Sequence, residues 1–117
     1  MTTELSTGPS LRDALLARVG GDAALATAMV SLFLEECPRL LADVRNAVGA
    51  QDATALKFAA HTMCGSVSNF TAPPAVEAAA RLELIGRSGD LQAAGDALRR
   101  LEMELDRLLP ALREMLA

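Results

Sequence analysis

Apolar residues recur along most of this chain at spacings of three and four, the period of helices that bury one face. Five stretches carry the pattern. Ser10 stands three residues before Asp13, a capping-box-like arrangement ahead of Leu11, Leu15 and Val19, and the short helix it opens ends at Gly20-Gly21. Asp22 is placed to cap a much longer apolar-periodic segment that runs to about Val48, with Gly49 as its stop. Pro38 interrupts that segment, and a proline both removes a backbone donor and clashes one turn back. A kink or a division near Cys37 is therefore expected. A third helix starts after Asp52 and runs to about Asn69, short of Pro73-Pro74, which suit the opening turn of the next. That fourth helix spans about Pro74 to Arg87, and Ser88-Gly89-Asp90 supplies its stop and a cap for the last. In the final segment Leu91, Ala94, Leu98, Leu101, Leu105, Leu108 and Leu112 form a seam suited to a bundle or a coiled coil, with Pro110 near its end.

Four main helices joined by short turns predict an all-α domain, an up-down four-helix bundle with a short N-terminal capping helix over one end. Residues 1–9 show no periodic pattern and read as a flexible leader, leaving residues 10–117 as one domain. Composition agrees. Ala and Leu supply 43 of the 117 residues, whereas the β-branched strand formers Val and Ile supply seven.

Charge and residue usage narrow the function. With 11 basic against 15 acidic residues the formal net charge is −4, the wrong sign for a nucleic-acid partner, and three Phe without Trp or Tyr offer few stacking platforms. No apolar run is long enough to span a bilayer and no signal-peptide pattern opens the chain, so a cytoplasmic protein is expected. The initiating Met and polar leader further suggest a free-standing protein. Two Cys, at 37 and 64, read as reduced apolar fillers.

The chain has a single His. Leu56, Ala59, Ala60, Met63, Val67 and Phe70 share one helical stripe suited to the core, and His61 lies off it, beside Thr54, Gly65 and Ser68. Gly65 is informative because glycine inside a helix costs about 1 kcal/mol relative to alanine, and a close-approaching partner would justify that cost. An exposed imidazole that is largely neutral near pH 7 offers a nucleophilic nitrogen without an activating network. A metal site fails on ligand number, since one His and Cys64, with Cys37 remote, fall short of the three or four protein ligands zinc requires. Phe58, one step round from His61, is either a docking contact or a core residue at the helix edge.

The run Ala59-Ala60-His61-Thr62-Met63-Cys64-Gly65-Ser66-Val67-Ser68-Asn69-Phe70 resembles the signature of histidine-containing phosphotransfer (HPt) domains. The usual pattern there is Ala-His, then Leu-Lys-Gly-Ser, then small residues ending near Asn-Leu-Gly-Ala. Phe33-Leu34-Glu35-Glu36 with Pro38 and Leu40-Leu41 is similar to the preceding helix of that family, and Arg81-Leu82-Glu83 with Arg87-Ser88-Gly89-Asp90 to the following one. The resemblance covers about residues 25–109.

It implies a phosphorelay carrier rather than an independent turnover enzyme. His61 would be the phosphoacceptor, taking a phosphoryl group from a receiver-domain aspartyl phosphate and passing it to another receiver. Gly65 would give the partner clearance, and Glu83 would orient the imidazole unless it is only a solvated helix residue. Phe58, Gly65, Ser68 and Arg87 would form the partner-binding surface. The partners implied are a response-regulator receiver domain and a hybrid histidine kinase, meeting a monomer that has no cofactor of its own; magnesium is expected on the receiver.

Two positions depart from the pattern: Cys64 stands where Lys is usual, and Thr71 where Gly is usual. Cys64 brings no charge to the phosphoryl oxygens, and Lys57, one turn before His61, leans away from it. Arg87, otherwise a helix C-terminal charge favoured by the dipole, or a cation from the partner, is the expected substitute. Two alternatives stay open: a phosphorylation-deficient bundle of this fold that binds receivers or kinases, and a helical oligomerisation module built on the 91–112 seam.

Overall fold

The computed structural model describes residues 10–116, so the expected leader at 1–9 lies outside the described residues. Helix α1 spans Leu11–Arg18, α2 Ala23–Gly49, α3 Ala53–Val67, α4 Pro73–Ser88 and α5 Ala94–Glu114, with a 3-10 turn at Ser68–Phe70 between α3 and α4. Three starts are capped by the side chains the sequence places there. Ser10 accepts from the Asp13 amide at 3.1 Å, and Asp22 and Asp52 accept from Leu25 and Ala55, each at 3.0 Å.

The four long helices close a ring in which α2 packs on α3, α3 on α4, α4 on α5 and α5 on α2. The α2–α3 turn (Gln51) and the α4–α5 turn (Gly89, Leu91) line one surface cleft and so share an end of the bundle. The 3-10 turn lies at the other end under α1, where Leu16 and the α5-terminal Met115 also meet. Neighbouring helices therefore run antiparallel. Leu15 of α1 is fully buried, which makes that helix the cap expected of it.

Leu56, Ala60, Met63, Val67 and Phe70 of the predicted stripe are buried, and Phe70 stacks at a tilt on Phe33 of α2 with ring centroids 5.1 Å apart. The α5 seam is spent inside the domain: Ala94, Leu101, Leu105, Leu108 and Leu112 are all buried within the one chain. An oligomerisation module would need that stripe facing out. Glu104 is the one charged residue buried among those described, flanked on its own helix by Arg100 at 2.9 Å and Arg107 at 3.8 Å.

Three local expectations change. Helix α2 does not divide at Pro38 but runs on to Gly49. Pro38 is exposed, so its ring stays off the packed face, while Phe33, Cys37 and Leu40 hold both halves to the core. Gly49 is still helical, and the left-handed residue that turns the chain is Gln51, at φ 54°. Asp90 accepts from Gln92 in a turn instead of capping α5, which starts later than expected, at Ala94, and leaves Leu91 outside the helix. Pro110 lies inside α5, which runs on to Glu114.

Thr71 explains one departure from the HPt pattern. Its backbone is left-handed, φ 50° and ψ 51°, the conformation in which glycine carries no Cβ penalty. The turn keeps its shape at the expense of strain in a β-branched residue.

Candidate functional site

The outer face of α3 presents His61, and the spacing of the apolar residues puts it there. The buried stripe of α3 turns residues 54, 58, 61, 62 and 65 away from the core. The His61 side chain is 71% exposed. Gly65, one turn on, is exposed as well, and a Cβ built on it would meet nothing within 4 Å. Phe58 is 61% exposed, which settles its alternatives against the core.

On the α4 side, His61 Nδ1 lies 3.1 Å from Oε2 of Glu83. Glu83 is held below the ordinary carboxylate range, mainly by its hydrogen bond from Arg87 and then by that from His61. An ionised carboxylate only accepts, so the proton on the neutral imidazole sits on Nδ1 and the lone pair on Nε2. The ring is thereby oriented with its nucleophilic nitrogen outward.

Arg87 is not the free cation expected as a stand-in for lysine. Its Nε and Nη2 donate to the same Glu83 Oε2 at 3.2 and 2.7 Å. Lys57 sits elsewhere too, its Nζ 4.8 Å from the centre of the Phe58 ring. Cys64 is half-buried and turned toward α4, its thiol 3.9 Å from the Val76 carbonyl. Burial, and secondarily the Glu83 charge, push that thiol above its usual range, so at neutral pH it is an uncharged filler. Ser68 lies at the C-terminus of α3, where its hydroxyl donates to the Gly65 carbonyl at 2.8 Å.

Between α2 and α3 an open groove of about 520 Å³ runs up to this face, lined among others by Arg39, Asp43, Asn46, Phe58 and Thr62. Among the described residues no group of three or more His, Cys, Asp or Glu side chains is arranged to hold a metal ion. None of the described helices is by itself long and apolar enough to cross a membrane.

Gly86 is the site residue that sequence reasoning missed. A Cβ there would lie 2.6 Å from the Lys57 nitrogen, 2.9 Å from the Lys57 Cα and 3.0 Å from the Ala53 carbonyl oxygen. Its absence lets α4 touch the backbone of α3 one turn from Glu83. The signal was the one that drew attention to Gly65, a glycine inside a helix.

Comparison with known proteins leads to the same place. The Hpt domain family model matches residues 28–111. The fold is similar to the crystal structure of histidine-containing phosphotransfer protein B (HptB) from Pseudomonas aeruginosa PAO1, at 26% identity and a TM-score of 0.81, covering 92% of this chain and 95% of that one. No curated protein matches the sequence. A lone outward His on a helical bundle and a family match over most of the length agree: the chain belongs to the Hpt domain family, the histidine phosphotransfer carriers of two-component signalling.

Proposed function

We propose that His61 is the phosphoacceptor, taking a phosphoryl group from the aspartyl phosphate of a receiver domain and delivering it to a second receiver, with a hybrid histidine kinase upstream. The observation that carries this is the hydrogen bond from His61 Nδ1 to Glu83, which leaves Nε2 as the lone-pair nitrogen on an open face. Nε2 forms the N–P bond while the P–O bond to the aspartate breaks, and the aspartate leaves as a carboxylate. The ring keeps its Nδ1 proton and becomes cationic, a charge that faces Glu83. The receiver supplies the magnesium that neutralises the phosphoryl oxygens, and this chain supplies position. Phe58 and Gly65, with the adjoining groove, form the docking surface, and Ser68 extends it. The proposed carrier is a cytoplasmic monomer.

Incubation with receiver domains radiolabelled on their aspartates tests the reading. Label should move to this chain in a linkage that is acid-labile and base-stable. Failure of every receiver of the source organism to transfer label to the folded protein would leave the phosphorylation-deficient binding bundle as the better account.

The uncharged Cys64 makes a second outcome measurable. In Cys64→Lys the stem would start where the thiol now sits and the ammonium would reach back over His61. One exposed charge-assisted contact predicts that the phospho-His lifetime or the transfer rate changes by roughly two- to fivefold. Identical decay curves for the two proteins would show that the cation is already supplied by the partner.

A further inference from the structure

We propose that Arg87 is a positioning residue for His61, acting through Glu83 and not as a contact for the partner. The proposal rests on His61 as the phosphoacceptor and adds to it a control on the ring. Three N–H groups converge on one oxygen: Nδ1 of His61 at 3.1 Å and Nε and Nη2 of Arg87 at 3.2 and 2.7 Å, all on Oε2 of Glu83. A carboxylate oxygen offers about two lone-pair directions, so the donors share it. Its partner oxygen, Oε1, takes part in none of the three bonds.

This arrangement has a mechanical and an electrical consequence. Mechanically, the guanidinium, four residues along the same helix, holds the carboxylate against the ring in one rotamer. Electrically, the positive charge beside Glu83 weakens the field that the carboxylate exerts on the imidazole. A bare carboxylate there would stabilise the cationic phospho-imidazole against the neutral ring left after transfer, biasing the equilibrium toward keeping the phosphoryl group. With Arg87 in place, Glu83 orients the ring while stabilising its charged forms less.

The other ionisable groups near the ring do not duplicate this role. Lys57, on the same helix, has its ammonium over the Phe58 ring, and the Cys64 thiol is uncharged and turned toward Val76. Arg39, Asp43 and Asp52 line the groove on the far flank of Phe58, where Arg39 and Asp43 pair with each other.

Two readouts on the full chain test the proposal: imidazole ¹⁵N resonances, which report the tautomer without any partner, and the rate of label transfer from a receiver. The variants are Arg87→Ala, Arg87→Lys, Glu83→Gln and the Glu83→Gln/Arg87→Ala double. Arg87 is exposed, so the folded protein should survive its removal, and thermal unfolding checks this.

In Arg87→Ala the preference for a proton on Nδ1 should weaken and label transfer should slow by roughly two- to fivefold, as expected for the loss of one exposed charge-assisted contact. Arg87→Lys should restore most of both. In Glu83→Gln the preference for a proton on Nδ1 should weaken as well. In the Glu83→Gln background, removing Arg87 should change neither quantity. A loss of transfer in Arg87→Ala that persists undiminished in that background, with unaltered ¹⁵N spectra, would make Arg87 a docking contact and overturn the proposal. If the ¹⁵N pattern holds but no receiver labels wild-type protein, the positioning role stands and the phosphoacceptor reading fails instead.

Discussion

Replacing His61 by glutamine is expected to abolish label transfer while leaving the bundle folded. The side chain is 71% exposed and contributes nothing to the core. A substitution there should change stability by no more than about 0.5 kcal/mol. Glutamine keeps a donor able to reach Glu83, but its amide nitrogen has given its lone pair to the carbonyl and does not attack phosphorus. The chain holds no second His to take over. Transfer should therefore fall by more than about a hundredfold, to the background of the assay, as when a nucleophile is removed outright. Gel autoradiography alongside a thermal melt reads both halves. Label that persists in His61→Gln on a normally folded chain would sink the assignment of the acceptor.

The second large effect concerns two glycines that look alike in sequence and should answer a methyl group with opposite signs. Gly65→Ala introduces a better helix former into open space, a gain of about 1 kcal/mol. Gly86→Ala offers the same gain in propensity but puts a carbon 2.6 Å from the Lys57 nitrogen and 2.9 Å from its Cα. Those atoms are backbone and cannot rotate away. Either α4 moves out or both helices bend, and overpacking of this kind costs roughly 1–3 kcal/mol or more. The expected net result for Gly86→Ala is a loss of up to about 2 kcal/mol and a midpoint lower by up to several degrees. Because Glu83 rides on α4, the same displacement lengthens its contact with Nδ1. Gly65→Ala should instead melt higher yet transfer more slowly, its methyl standing where the partner approaches. A Gly86→Ala protein that melts at or above wild type would refute the close contact.

The helices and the histidine were legible for related reasons. Caps at Ser10, Asp22 and Asp52 and the stripe from Leu56 to Phe70 are local signals, decided within one turn or one helix face. His61 stood out because it lies off such a stripe, one turn before a glycine inside the helix. What lay beyond the sequence was decided between helices. Pro38 looked disruptive because its local cost is visible, while the core contacts that carry α2 through it come from other segments. The engagement of Arg87 with Glu83 depends on which rotamer α4 allows beside α3. Gly86 carries its meaning only once α3 lies against it.

Under the proposed relay, the placement of His61 on a single uncovered helix face sets a rule of traffic. Donor and acceptor receivers would use the same imidazole from the same side, so occupancy by one would exclude the other. The carrier then works as a one-berth dock, and an idle receiver present in excess becomes a competitor simply by resting there. Throughput in such a relay is governed by how quickly each visitor leaves, which makes weak, short-lived contact an asset of this surface.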